Sequence, residues 1–377
     1  MKRREFLTAA AATVSGVVAP GLIGAARGLN VHDFGGRVLV LVELNGGNDG
    51  LNTVIPYADP AYGAARAGLA IPRDQVLPLD ERLGLHPALE PLMAAWQGGD
   101  LAIPLGVGYE RPDRSHFRSI EIWNTSSTSD RVLNRGWAAR AFDEAGLARN
   151  LTADAILLGG DSGPFYGGDV QAIGLDSPER FVERAGRIAD QPMQSAISGG
   201  NPALQHILKT RANVVAAADD IAARLDTGSE LGLAFPRTGP FGGFGRDLEL
   251  AARIVAARLP VAAIKVTLGS FDTHANQPNL HRLLLTQLGT SLSAFREAMI
   301  KTGDWRRVMV MTYAEFGRRV AGGLYGVQPS LTDLDAGDLK YTMDFRTLFA
   351  TATQNWWGLP PTPETFGGAR PLGDLIV

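Results

Sequence analysis

The chain contains no cysteine in its 377 residues, and that absence removes disulfide staples, thiolate metal ligands and a cysteine nucleophile together. Any catalysis must therefore run on oxygen and nitrogen groups. Histidine is sparse as well: His32, His86, His116, His206, His274 and His281 are the full set, and none follows position 281. Basic charge is not in excess, since 36 Lys and Arg stand against 39 Asp and Glu for a net charge of −3, so there is no electrostatic footprint for nucleic acid. The apolar run near the start is broken by Ser15, Gly16, Pro20 and Gly21, which argues against a stable membrane span.

What is present describes a globular chain. With 45% hydrophobic residues it can fill one large α/β core, and its 45 glycines and 22 prolines indicate many tight turns. Met1-Lys-Arg-Arg-Glu-Phe-Leu7, followed by small and weakly apolar residues to Ala26, reads as a twin-arginine export signal. This predicts the export machinery as a partner and the periplasm or extracellular space as destination. Removing residues 1–26 leaves the chain two charges more negative, still with no basic patch.

The chain is organised around Arg37 to Gly50, in which Val38 to Val42 are β-branched or aliphatic without alternation and suit a strand covered on both faces of a mainly parallel sheet. The run stops at Asn45-Gly-Gly-Asn-Asp-Gly50, where the glycines permit positive φ and Asp49, beside Asn48, can project into a crevice or close an Asx turn. The glycine spacing is not G-x-G-x-x-G, and an acidic tip repels a bare phosphate, so a carboxylate for a hard metal ion is the better functional reading. A helix from Pro87, with Leu89, Leu92, Met93 and Trp96 on one face, leads to an expected second strand over Leu101 to Val107. At its end Ser115 stands at a helix N-terminus, either as an N-cap or as a nucleophile or anion-binding hydroxyl, with His116 as a ligand or proton-transfer group.

Residues 131–148 predict a helix that packs Trp137 and exposes its arginines, and Ala153 to Leu158 a short strand. Residues 177–245 read as an inserted helical segment, in which His206 is an ordinary, partly buried side chain. Strand Val261 to Gly269 ends at Asp272 and His274, which can converge on a metal or cap the helix bearing Leu284, Leu288, Phe295 and Met299. Strand Val308 to Tyr313 is tipped by Glu315. In a parallel sheet these strand tips share one edge, so Asp49, Ser115, Asp272 and Glu315 are expected in one crevice.

These motifs, with Leu85-His-Pro-Ala-Leu89, Arg114-Ser-His-Phe117, Tyr341-Thr-Met-Asp-Phe-Arg346 and Trp356-Trp-Gly358, resemble the exported, sulfatase-like family named domain of unknown function 1501. The resemblance implies an alkaline-phosphatase-like α/β fold and a hydrolase of phosphate or sulfate esters, whose relatives hold two divalent metals such as zinc, calcium, magnesium or manganese. It implies Asp49 as the first-strand metal carboxylate, Asp272 and His274 as ligands of a second metal, and Ser115 as nucleophile. One departure bears on chemistry. The Gly-Thr-Asp-His-Gly segment that the family carries after Glu-Phe-Gly-Arg is missing after Arg319, which leaves one metal held by Asp272, His274 and Glu315 and an incomplete two-metal centre. Asp333, Asp335 and Asp338 read as a solvated turn. A non-catalytic binding or assembly protein that keeps the fold is the alternative.

Overall fold

A computed structural model describes residues 31–32, 34–146, 148–190, 202–225, 231–237, 240–315, 325–335 and 338–373. The expected export signal and the stretch directly after Glu315 lie outside the described residues. Among those described, no helix is long and apolar enough to cross a membrane.

The centre is a five-stranded sheet. Its strands are β1 (Val38–Leu44), β2 (Ala153–Leu158), β3 (Ala172–Gly174), β4 (Val261–Leu268) and β5 (Val308–Tyr313), in the order β5-β1-β4-β2-β3, and each neighbouring pair is parallel. Every residue of β1 is buried. Its side chains alternate between two cores: Val38, Val40, Val42 and Leu44 face one way, Leu39 and Leu41 the other. The run lacks polar alternation because helices cover both faces.

One face is covered by α5 (Gly242–Ala256) and α6 (Gln277–Thr302), through Leu248, Ile254, Leu284 and Phe295. The expected helical segment forms α3 (Pro178–Ala189) and α4 (Pro202–Leu225), and Ile221 and Leu225 of α4 join this same core. His206 is exposed, because it lies on a turn of α4 that faces away from the core. The other face is aromatic. It is covered by α1 (His116–Thr125), α2 (Trp137–Ala145) and a C-terminal stretch opening with α7 (Arg346–Ala350), and Trp137 stacks on Phe349 at 4.6 Å and 14°. Trp356 and Trp357 of the double-tryptophan motif donate their indole N–H groups to Val38 O at 3.3 Å and Ala262 O at 3.1 Å, which ties this layer to β1 and β4.

Two expectations need correction. Leu101 to Val107 is not a strand of the central sheet; Val107–Gly108 pairs with Met343–Asp344, Pro104 forms an isolated parallel bridge with Tyr325, and Leu105 N bonds Tyr325 O at 2.7 Å. Pro104 lacks the N–H that a longer ladder needs, and Ile103 and Leu105 are buried. The arginines of the 131–148 region are not all exposed either, since Arg140 of α2 reaches the carbonyl of Thr365 at 3.1 Å. The stretch with Asp333, Asp335 and Asp338 is an exposed two-stranded turn, Leu334–Asp335 against Asp338–Leu339.

Candidate metal centre at the carboxyl edge of the sheet

Three strand ends are stitched together at one edge. Beyond β1 and β4 the ladder continues through Asn45 N to Leu268 O and Phe271 N to Asn45 O, both at 3.0 Å. Gly46 has φ +112°, and a Cβ there would lie 2.4 Å from Asp272 N, so this turn requires glycine for both its conformation and its close approach. Gly46 N donates to Glu315 Oε1 at 2.7 Å, which brings the tip of β5 to the same point.

His116 completes the arrangement from the start of α1. Its Nδ1 lies 2.9 Å from the same Glu315 Oε1. An ionised carboxylate only accepts, so Nδ1 carries the proton and Nε2 presents its lone pair on the opposite side of the ring. That Nε2 lies 3.8 Å from Asp272 Oδ1, and His274 Nε2 lies 2.7 Å from the same oxygen. One donor atom from each of His116, Asp272 and His274 falls within 4.8 Å of the others. Glu315 is buried and its Oε2 has no hydrogen-bond partner among the described residues. Two imidazoles and one accessible carboxylate, with a buried carboxylate behind one ring, form a donor set of the kind that orients a metal-ligating histidine.

The other sequence candidates stand apart from this group. Asp49 caps the short helix Gly50–Thr53, accepting from Asn52 N at 3.3 Å, and its Oδ2 takes the Arg66 guanidinium and the Gln277 amide. A cation at Asp49 must displace that guanidinium. Asn48 is buried, and its Oδ1 accepts from His281 Nε2 at 2.9 Å and Thr53 Oγ1 at 3.1 Å. Ser115 occupies the N-cap position of α1 but makes no side-chain capping bond, and its side chain is exposed. Its backbone N–H is held by Asp113 Oδ1 at 2.7 Å.

Two polar groupings were not singled out from sequence. His86 and His281 meet edge to face with centroids 5.9 Å apart, and burial lowers both pKa values below the usual imidazole range, His86 to about 4. On the other face of the sheet, Lys265 is fully buried in β4 and pairs with Glu43 of β1, with further bonds to Asp161 O at 3.1 Å and Asp161 Oδ1 at 3.2 Å. Glu43 also accepts from Asn45 Nδ2 at 3.2 Å, which anchors the turn that carries Gly46. Tyr313, next to this pair, is held well above the usual phenol range by burial and by the Glu43, Asp161 and Glu315 charges. A lone charge of opposite sign in each of two otherwise apolar strands was the signal.

The fold and edge therefore define an α/β protein with a parallel sheet and a histidine-carboxylate cluster at the carboxyl ends of its strands. A family model described as "Protein of unknown function (DUF1501)" matches residues 169–329, which supports that family as the one the motifs resemble. The matched stretch includes Asp272, His274 and Glu315 but not Asp49, Ser115 or His116. No curated protein and no solved structure matches the chain.

Proposed function

We propose that this protein is an exported hydrolase of phosphate or sulfate esters that works with one divalent metal ion in place of the two of its implied relatives. The observation that carries the reading is the Glu315–His116 bond: a buried carboxylate fixes Nδ1–H of an imidazole whose Nε2 faces Asp272 and His274. His116, Asp272 and His274 would hold the ion, and Glu315, expected from sequence as a ligand, becomes the residue that orients one. Two nitrogens and one oxygen favour zinc or manganese over calcium, which takes six to eight oxygens. Bound there, the ion would polarise an ester oxygen and lower the pKa of a water. The chain's own part is to fix the His116 tautomer, close the strand ends with the Gly46 turn, and present the exposed hydroxyl of Ser115 one residue from His116. The twin-arginine start supports export.

One observation favours the second reading, a binding or assembly module that keeps the fold. Asp49, the expected carboxylate of a first metal, directs its charge to Arg66.

Elemental analysis and turnover on the purified mature protein separate the two. The hydrolase reading expects about one zinc or manganese per chain, lost in Asp272→Asn/His274→Gln, with ester hydrolysis that needs the metal. Metal without turnover on any phosphate or sulfate ester supports the binding module. A well-folded protein that retains no metal refutes the centre.

A further inference from the structure

The start of α1 is held to the tip of β5 at two points. Three residues beyond His116, on the same face of the helix, Ser119 Oγ donates to the main-chain carbonyl of Glu315, the residue whose side chain holds the His116 ring. Ser119 has no exposed surface and Tyr109 is 5% exposed, and their hydroxyl oxygens lie 2.8 Å apart. A carbonyl only accepts, so the single Ser119 hydroxyl proton is committed to Glu315 O, and Tyr109 is the donor to Ser119 Oγ. Burial raises the Tyr109 pKa above the usual phenol range, so that proton stays in place. The Tyr109 oxygen in turn accepts from Asp113 N at 3.2 Å, and Asp113 Oδ1 accepts from Ser115 N at 2.7 Å. Ser119 N bonds Ser115 O at 2.9 Å, which closes a ring around the segment that delivers His116.

Each hydroxyl proton in this chain has one direction, and the chain has a fixed origin. The Tyr109 ring meets Phe345 edge to face with centroids 5.8 Å apart, inside the aromatic layer that backs the sheet. The bond from the Glu315 carboxylate to His116 Nδ1 fixes one atom of the imidazole and by itself leaves the helix turn beneath it free to pivot about that bond. The second bond, from the main chain of Glu315 to a side chain on the same helix face, removes the pivot. Both hydroxyls are buried, so whatever they contribute to chemistry at the edge passes through the residues they hold.

We propose that Ser119 and Tyr109 are positioning residues for His116: they clamp the first turn of α1 to Glu315, so that the imidazole keeps Nδ1–H on the carboxylate and aims Nε2 at Asp272 and His274. For its consequence at the metal this rests on the centre proposed above, to which it adds two residues that touch neither ion nor substrate. The groups that orient a metal-ligating histidine are worth about 10–100-fold in metal affinity, which is the scale expected of this clamp.

The test reads the imidazole before it reads the metal. In the chelator-treated full mature protein with isotope-labelled histidine, at about pH 8, above the ordinary imidazole range, NMR distinguishes the two neutral tautomers, and His116→Gln identifies the His116 signals. His116 is expected as the single Nδ1–H tautomer in wild type and as a mixture in Ser119→Ala, with Tyr109→Phe moving the same way by less. Zinc affinity, read in competition with a chromophoric chelator, should fall about tenfold in Ser119→Ala and about threefold in Tyr109→Phe, and Ser119→Ala should cost nothing further in a His116→Gln background. Thr125→Val removes an equally buried hydroxyl from the other end of α1 and should move neither readout. Should Ser119→Ala lose cooperative unfolding, Tyr109→Phe decides alone. The proposal is overturned if wild-type His116 shows no dominant tautomer, if neither variant changes it, or if Thr125→Val acts as strongly. Zinc bound by wild type with an affinity that both substitutions leave unmoved also overturns it, and leaves the metal centre standing. A tautomer lost as expected in a protein that binds no zinc keeps the clamp on His116 and sinks the metal centre.

Discussion

Removing one charge from the Glu43–Lys265 pair should cost far more than removing both. The pair is inside the sheet: Lys265 has no exposed surface and Glu43 is 3% exposed. In Glu43→Gln the ammonium keeps Asp161, but that side chain is 70% exposed, so water screens it and it cannot replace a buried countercharge. Breaking a buried pair by deleting one partner costs about 3–5 kcal/mol, whereas replacing the whole pair by apolar groups of similar volume is neutral or better. Glu43→Gln and Lys265→Met are therefore each expected to lose about 3 kcal/mol or more, and Glu43→Leu/Lys265→Met about 1 kcal/mol or less. Urea unfolding of all variants at one pH reads this directly. With a slope of about 3 kcal/mol/M, each single variant moves the midpoint down by about 1 M. The reasoning is refuted if either single variant unfolds within about 0.2 M of wild type, or if the double variant loses as much as the two singles together.

Two further outcomes follow from other parts of the edge. Glu315→Gln should weaken zinc binding about 10–100-fold in competition with a chromophoric chelator, because the amide can donate to His116 Nδ1 and so favour the tautomer that protonates Nε2; unchanged affinity would remove Glu315 from any role at the ion. Acid should destabilise the fold through His86: its folded pKa of about 4 lies below the free value of 6.5, so between those pH values the unfolded chain binds a proton that the folded chain refuses. Stability attributable to His86 is thus full above about pH 6.5 and falls by about 3 kcal/mol as pH drops to 4, with His281 acting in the same direction. His86→Asn, which keeps an acceptor for Ala88 N, should flatten this loss in urea midpoints taken from pH 7.5 to 4.5, and an identical slope in wild type and variant would count against it.

The sheet was legible because its strands are unusually plain. Val38–Leu44 and Ala153–Leu158 are runs that sequence placed, the first as far as Val42 and the second over its full length, since burial on both faces removes the alternation that makes other strands ambiguous, and the edge strand Val308–Tyr313 was equally plain although it is only partly buried. Leu101 to Val107 misled for the same reason. An apolar run satisfies a strand template whether or not its backbone finds a ladder, and what it lacks is a partner edge, which no local pattern reports. The tips Asp272 and Glu315 were likewise legible as tips, but their roles were not. Which carboxylate faces open solvent and which is buried behind an imidazole depends on the Gly46 turn and on the entry of α1 from a distant stretch of chain.

His116 shows why adjacency in sequence is a poor guide at a helix start. On a regular helix, neighbouring side chains point about 100° apart, so a nucleophile at Ser115 and a ligand at His116 look like alternatives. Here Ser115 is the N-cap with extended dihedrals and His116 is the first helical residue, so the break between the two conformations separates their directions. The hydroxyl stays exposed beside the cluster while the imidazole turns inward to Glu315. Asp49 took the opposite course: its turn closed as a cap, and Arg66 and Gln277 engaged the carboxylate. A chain without histidine beyond position 281 cannot supply the late imidazoles of a two-metal site. On the proposed reading His116, Asp272 and His274 would hold one ion while Asp49 engages a guanidinium, so Arg66→Ala tests whether Asp49 has affinity for a second. A second equivalent of metal bound by that variant, and not by wild type, would show that the arginine occupies a cation site at Asp49.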